Sequence, residues 1–88
     1  MNDTYQIYLI SDSTGETLDR IFTAIKAQFK NINYQIHTYS FTRTENQILK
    51  ILSNAEKYSN AVILYSIVDS SLAKNLASNS SKKKIPCF

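Results

Sequence analysis

Short apolar segments alternate with segments of helical periodicity along this sequence. Three apolar segments, residues 5–10 (YQIYLI), 33–41 (NYQIHTYSF) and 61–68 (AVILYSIV), are rich in β-branched or aromatic residues, which is typical of strands. The third is apolar on both faces, as in a parallel sheet that is covered on both sides. Residues 85–88 (IPCF) have the pattern of the start of a fourth strand. The alternation predicts an α/β fold.

Helical periodicity follows each of the first three strands. After the first strand, one face is apolar at helical spacing: Leu18, Ile21, Phe22, Ile25 and Phe29. The same spacing recurs after the second strand: Ile48, Ile51, Leu52 and Ala55. A third, weaker helix is predicted over residues 69–78. The predicted order is β-α-β-α-β-α-β, a three-layer parallel sheet with right-handed crossovers, which we expect to be a Rossmann-like or flavodoxin-like half-domain.

Capping signals support the starts of these helices. Ser13 and Glu16 have the spacing of a capping box, and so do Thr42 and Glu45. Asp69 can cap the third helix through its carboxylate. Each predicted cap lies just after a predicted strand, so all three helices are expected to begin at the same edge of the sheet.

The composition excludes several classes of protein. With 88 residues the chain is at most one small domain, and its 43% hydrophobic content indicates a globular chain. The net charge of +3 includes a lysine run at 82–84 without aromatic or arginine partners, so nucleic-acid binding is not expected. A single cysteine, Cys87, excludes an intramolecular disulfide. The sequence shows neither a signal peptide nor a membrane helix, so we expect a cytoplasmic protein without a membrane partner.

Polar groups collect where the predicted strands end. Ligands of open parallel sheets bind at the carboxyl ends of the strands, where SDSTGET (11–17), FTRTE (41–45) and YSIVD (65–69) should meet. The polar side chains offered there are Asp12, Ser13, Thr14, Glu16, Arg43 and Asp69.

The SDSTGET segment has two interpretations. Backbone N–H groups, hydroxyls and Gly15 at a helix start can hold a phosphate, or the segment is simply a capped helix start. Asp12 and Glu16 bring negative charge to the place where an anion would bind. A single glycine also excludes both common glycine-rich phosphate motifs. Asp12 can instead hold Mg²⁺ for a nucleotide or accept a proton from a hydroxyl.

Arg43 also leaves two alternatives open. Its guanidinium can clamp a phosphate with two hydrogen bonds, or it can form a surface ion pair with Glu45 or Asp69. His37 lies in the middle of a strand, where we expect a structural role, and no second His or Cys stands at ligand spacing, so no metal site is predicted from these residues. Cys87 is expected to be a buried strand residue. A packing role is expected for the strand tyrosines: Tyr5, Tyr8, Tyr34 and Tyr39.

Three segments together resemble a known family. IYLISDSTGET, FTRTENQ and VILYSIVD, in this order, are similar to the start of the pyruvate, phosphate dikinase and phosphoenolpyruvate synthase regulatory proteins. The resemblance covers Tyr5 to Phe88. It implies an ADP-dependent Ser/Thr protein kinase that inactivates the dikinase or the synthase. It also implies a phosphorylase that removes the phosphate with inorganic phosphate and releases pyrophosphate.

The resemblance carries over to particular residues and substrates. It implies ADP and inorganic phosphate as substrates, with Mg²⁺ as a further candidate, and the dikinase or the synthase as the partner. Phosphate- or target-binding candidates, without an assigned catalytic role, are Asp12, Ser13, Thr14, Gly15, Glu16, Arg43 and Asp69.

The sequence departs from this family in length. Family members are much longer, and their nucleotide-binding loop, rich in Gly, Ser and Lys, lies in the later half. We therefore expect residues 1–88 to form one incomplete α/β domain without phosphotransfer activity of its own. A separate C-terminal chain or a homodimer would complete it.

Two other functions fit parts of the pattern. Flavodoxin-like modules hold the FMN phosphate in a loop of the form [ST]-x-T-G-x-T, and residues 12–17 (DSTGET) match its T-G-x-T. Asp12 takes the first hydroxyl position, where a carboxylate repels a phosphate. The remaining alternative is a non-catalytic interaction module whose open sheet edge pairs with another polypeptide.

Overall fold

Three parallel strands form the centre of the molecule in the computed structural model, which describes residues 4–28 and 31–88. The strands are β1 (Tyr5–Ser11), β2 (Tyr34–Tyr39) and β3 (Ala61–Ser66). The helices are α1 (Glu16–Lys26), α2 (Glu45–Ala55) and α3 (Ser70–Lys82). The strand order is β2-β1-β3, so β1 pairs with both other strands. The predicted α/β fold with a parallel sheet is confirmed.

The helices lie on opposite faces of the sheet because side chains alternate along β1. Tyr8 and Ile10 pack in one cluster with α2 and α3. Leu9 packs in a second cluster with Leu18 and Phe22 of α1. The chain moves from β1 to β2 through α1, and then back past β1 to β3 through α2. Crossovers of one hand that run in opposite directions place their helices on opposite faces.

The face that carries α2 and α3 holds the larger part of the core. All four apolar residues predicted for α2 are buried in it: Ile48, Ile51, Leu52 and Ala55. Burying one Ile or Leu side chain contributes about 1.5–3 kcal/mol relative to leaving it exposed. This cluster has eleven buried residues and the α1 cluster has three, so the first dominates the stability of the fold.

The predicted apolar face of α1 is only partly buried. Leu18 and Phe22 are buried, but Ile21 and Ile25 are 49% and 40% exposed. Phe29 lies outside the described residues. Among the described residues one helix covers this face of the sheet and two cover the other, so Ile21 and Ile25 remain substantially exposed.

The predicted fourth strand is not formed by the described residues. Residues 85–88 contribute an isolated parallel bridge between Ile63 and Cys87. Pro86 has no N–H and contributes only its carbonyl, which accepts from the Ile63 N–H at 2.9 Å, while the Phe88 N–H donates to the Ile63 carbonyl at 2.8 Å. Cys87 is half-buried rather than fully buried, and this burial raises the pKa of its thiol.

The cap of α2 lies two residues later than predicted. Thr44 is the N-cap, and its side chain accepts from the Gln47 N–H while the Gln47 side chain accepts from the Thr44 N–H. The prediction that Thr42 caps α2 with Glu45 is wrong. Thr42 is buried, and its N–H donates to the Ser11 carbonyl at 2.8 Å. This bond keeps Thr42 in the loop that precedes α2. The third helix, α3, extends to Lys82 and is longer than predicted. No described helix is both long enough and apolar enough to cross a membrane.

Stacked aromatic rings join β1 and β2 on the face of the sheet that carries α2. The Tyr8 ring lies parallel to the His37 ring at 4.4 Å and to the Tyr39 ring at 6.1 Å. The Tyr8 hydroxyl donates to Asn54 Oδ1, and His37 Nε2 lies 2.7 Å from Gln6 Oε1. These contacts agree with the packing roles predicted for Tyr8 and Tyr39 and with the structural role predicted for His37, whereas Tyr5 is 42% exposed.

The buried Tyr8 predicts a specific loss of stability at high pH. Burial, with smaller contributions from Tyr39 and Tyr58, raises the pKa of Tyr8 from 10.0 to about 12. Because the folded-state pKa is the higher one, the stabilising contribution is complete below pH 10 and is lost as the pH rises to about 12. The free energy of unfolding should fall less steeply over this range in Tyr8→Phe than in the wild type. Parallel urea unfolding curves at a series of pH values measure this, and identical slopes would contradict the assignment.

Candidate functional site

The parallel register brings three loops to one edge of the sheet. Ser11 is opposite Ser66 in the β1–β3 pair, and Ile10 is opposite Tyr39 in the β1–β2 pair. The strands therefore end at the same level, and the loops 12–15, 40–44 and 67–69 follow side by side. This is the edge where the sequence predicts a binding site.

A serine turn ends β1. The buried Ser11 hydroxyl accepts from the Ser13 N–H at 3.1 Å and lies 3.2 Å from the Ser13 hydroxyl. Such bonds from a side chain to the following backbone compete with the regular ladder of a strand. The Ser13 side chain thus turns back toward Ser11, and the prediction that it caps α1 in a capping box with Glu16 is wrong.

The N-cap of α1 is Gly15, in the left-handed conformation with φ 85° and ψ 7°. A Cβ at this position would lie 3.8 Å from Ser11 Cβ and Ser40 Oγ, which is an ordinary contact, so a larger residue would fit sterically. The left-handed backbone conformation favours glycine instead, because it costs other residues about 1–2 kcal/mol. No side chain among the described residues caps α1, whereas Thr44 and Asp69 cap the other two helices.

The uncapped start leaves backbone donors available. The first four N–H groups of an α-helix have no partner within the helix, and the helix dipole adds partial positive charge there. Thr14 and Glu16, on either side of Gly15, are exposed. The start of α1 can therefore accept an anion through its own backbone.

Asp12 joins the ends of β1 and β3. Its carboxylate Oδ2 accepts from the Val68 N–H at 2.8 Å, and its own N–H donates to the Ser66 carbonyl at 3.3 Å. The side chain is half-buried. One carboxylate oxygen is thus used to hold the loop after β3, which reduces the negative charge that Asp12 presents to a ligand.

Arg43 joins the loop after β2 to the loop after β1. Its Nε donates to the Asp12 carbonyl at 3.0 Å, and its guanidinium carbon lies 5.2 Å from the centre of the Phe41 ring. Within the described residues it forms no ion pair with Glu45 or Asp69, so the surface ion pair that the sequence left open is not present. The Arg43 residue is exposed at this edge.

Glu16 and Asp69 are less closely tied to the site than the other candidates. Asp69 accepts from the Leu72 N–H at 3.0 Å, so its predicted role as the cap of α3 is confirmed. Glu16 is the exposed first residue of α1. The contacts between loops run instead through Asp12, Ser13, Thr14 and Arg43.

The sequence patterns did not indicate a role at this edge for two residues, Ser40 and Phe41. The Ser40 hydroxyl donates to the Thr14 carbonyl at 3.1 Å, and the Phe41 N–H donates to the Ser13 carbonyl at 3.0 Å. Phe41 has a φ of 55°, which is uncommon for a residue with a side chain. A bulky aromatic residue carries no sequence signal for this conformation, so its position beneath Arg43 could not be predicted.

A cleft of about 310 Å³ with a mixed polar and apolar lining adjoins Ser40 on the side of α2. Its lining includes Thr42, Gln47 and Lys50, but none of the seven predicted site residues. Among the described residues no group of three or more His, Cys, Asp or Glu side chains is arranged to hold a metal ion. Asp12 is the carboxylate that contacts both neighbouring loops, since its Oδ2 accepts from Val68 and its carbonyl accepts from Arg43.

The family described as kinase/pyrophosphorylase matches residues 7–88, a range that includes all three loops. The chain belongs to the kinase/pyrophosphorylase family. This confirms the resemblance that the three motifs indicate.

Curated relatives align with most of the length of this chain. It is 69% identical over its whole length to a protein of Pelagibacter ubique (strain HTCC1062) and covers 32% of it. It is 39% identical over 91% of its length to a protein of Geotalea uraniireducens (strain Rf4), covering 29% of that protein. Both carry the name "Putative pyruvate, phosphate dikinase regulatory protein". The chain thus spans about a third of the length of these relatives.

Removal of the Asp12 carboxylate should loosen the edge. Asp12→Ala leaves the Val68 N–H without its acceptor and should lower the free energy of unfolding by about 1 kcal/mol. Asp12→Asn keeps an oxygen acceptor for the Val68 N–H, so its free energy of unfolding should fall by less. Urea unfolding measures both, with Asp19→Ala, an exposed acid of α1, as the control. The contact with Val68 has no stabilising role if Asp12→Ala and Asp19→Ala unfold alike.

Proposed function

We propose that this chain forms the phosphate-facing wall of a phosphotransfer site in a bifunctional regulator of pyruvate, phosphate dikinase or phosphoenolpyruvate synthase. In one direction the enzyme is an ADP-dependent Ser/Thr protein kinase, and in the other it is a phosphorylase that uses inorganic phosphate. Membership of the kinase/pyrophosphorylase family and the names of the relatives support the proposal. The observation that carries it is the uncapped, glycine-started α1 at the strand-end edge.

Both reactions transfer one phosphoryl group. In the kinase direction the hydroxyl oxygen of the target forms a bond to the terminal phosphorus of ADP, the bond to AMP breaks, and the hydroxyl proton is released. In the phosphorylase reaction an oxygen of inorganic phosphate forms a bond to the phosphorus on the target, and the bond from that phosphorus to the target oxygen breaks. Pyrophosphate is the product, and the target oxygen takes up a proton to restore the hydroxyl. Each transfer gathers negative charge around the same phosphorus, so it is accelerated by donors that are already positioned.

The residues of the edge fit this requirement. The first-turn N–H groups of α1 and the exposed Arg43 side chain supply donors, and Ser13 and Thr14 precede the helix in the same loop. Asp12 acts as a positioning residue, because its Oδ2 holds Val68 and its carbonyl holds Arg43. Mg²⁺ bound to nucleotide phosphates usually needs only one or two protein carboxylates, and the second oxygen of Asp12 fits that role.

A flavodoxin-like module is the alternative with some structural support. The strand order β2-β1-β3 is that of flavodoxin-like sheets, whose ligand lies at the β1/β3 switch point. The family match and the Asp12 carboxylate at the hydroxyl position of the flavin loop both favour the regulator instead.

We expect the nucleotide-holding part of the enzyme to lie outside this chain, because the chain spans only 32% of its Pelagibacter relative. The chain alone, mixed with phosphorylated dikinase, inorganic phosphate and Mg²⁺, should therefore release no pyrophosphate. An enzyme-coupled pyrophosphate assay measures this, with the whole Pelagibacter relative as the positive control. Release by the chain alone above the buffer control would contradict the division of roles.

Arg43 should contribute to binding of a phosphate group by the isolated chain. Pyrophosphate should bind weakly, and Arg43→Ala should weaken it by about three- to tenfold, because a charged hydrogen bond is lost at an exposed position. Arg20→Ala is the matched control, since Arg20 is exposed on α1 and is the only other arginine. Isothermal titration calorimetry at low ionic strength measures the three affinities. Equal losses in the two variants would show that net charge, and not the edge, attracts the anion.

A further inference from the structure

An apolar groove of about 420 Å³ lies on the α1 face, at the opposite end of the sheet from the candidate site. Its floor is formed by the sheet and its walls by α1 and residue 88. The residues that shape it are Ile7, Val62, Phe22, Ile25, Tyr34 and Phe88. Several of them are well exposed, including Ile25 at 40% and Phe88 at 71%. The groove is therefore an apolar surface that the described chain leaves in water.

The groove follows from the topology. Strands of a sheet lie about 4.8 Å apart and a helix with its side chains is about 10 Å wide, so one helix covers about two strands. The α2 and α3 helices share one face, and α1 alone covers the other. Parallel sheets are normally covered by helices on both faces. Among the described residues, about one strand of this face therefore lies uncovered beside α1.

We propose that this groove binds the apolar face of a helix from the part of the family polypeptide that lies outside the region matched by this chain. The chain corresponds to 32% of its Pelagibacter relative, so about two thirds of that protein lies outside the match. A helix placed against Ile25 and Val62 would complete the second layer of the sheet. This inference rests on family membership and sheet topology, and it does not depend on the proposed phosphotransfer.

The shape of the groove argues against a second copy of this chain as the occupant. A twofold interface places the same patch on both subunits, so two concave grooves would face each other and leave a void between them. The lining argues against a small polar ligand. Sites for such ligands place several convergent polar groups in the pocket. Here Lys26 and the tyrosine hydroxyls are the polar groups of the lining.

The test uses co-expression of the tagged chain with the unmatched remainder of the Pelagibacter protein as a separate polypeptide. Three forms of the chain are compared: wild type, Ile25→Glu and Ile21→Glu. Ile21 is the matched control, because it lies on the same helix and is 49% exposed but does not line the groove. Circular dichroism confirms that each variant is folded.

The wild type and Ile21→Glu should recover the remainder in near-equal molar amounts. Ile25→Glu should recover at least about tenfold less, because docking would bury an unpaired carboxylate. Equal recovery by all three forms, or no recovery by the wild type, would overturn the proposal. Size-exclusion chromatography of the chain alone adds a second arm. A dimer that Ile25→Glu dissociates would identify a second copy as the occupant and would also overturn it. Pyrophosphate binding by Ile25→Glu reports on the distant edge separately, so failure of one proposal is distinguishable from failure of the other.

Discussion

The parallel pairing of β1 with strands on both sides is the constraint on which the rest of the structure depends. It brings the carboxyl ends of all three strands to one level, and so it places three loops from distant parts of the sequence next to each other. It also decides which side each helix occupies. One geometric fact thereby produces both the polar edge and, at the other end of the sheet, the apolar groove.

Hydrogen bonds between loops then convert this proximity into a defined edge. Asp12 is the centre of the arrangement, because its carboxylate holds the loop after β3 and its carbonyl holds Arg43. Ser11 contributes by accepting from Ser13, which draws the Ser13 hydroxyl away from the start of α1. Gly15 therefore starts the helix without a side-chain cap. The same contacts that order the loops leave the helix donors uncovered.

The periodicity of the sequence predicted the first three strands, the order of the elements as far as α3 and the buried face of α2, because these depend on local patterns and on simple burial. Details that depend on backbone angles were harder. Thr42 and Thr44 both offer a capping hydroxyl, and only the tertiary bond from the Thr42 N–H to Ser11 decides between them. The exposure of Ile21 and Ile25 could not be predicted either, since helical spacing shows which residues share a face but not whether anything covers it. The seven candidate residues lie at or beside the carboxyl ends of the strands, where the sequence pattern predicted them. The contact that holds Asp12 joins its carboxylate to the backbone N–H of Val68, and the sequence pattern carries no signal for a backbone partner.

If the start of α1 and its neighbouring loops form the proposed anion-binding edge, inorganic phosphate should bind there. Titration of the isotope-labelled chain with inorganic phosphate, followed through the backbone amide resonances, measures where the anion binds. The largest shifts should fall on residues 13–18, which include the free N–H groups at the start of α1, with further shifts at residue 43, whose side chain is expected to contact the anion. Shifts that fall instead on the exposed lysine run at 82–84, or that spread evenly over the chain, would contradict this prediction.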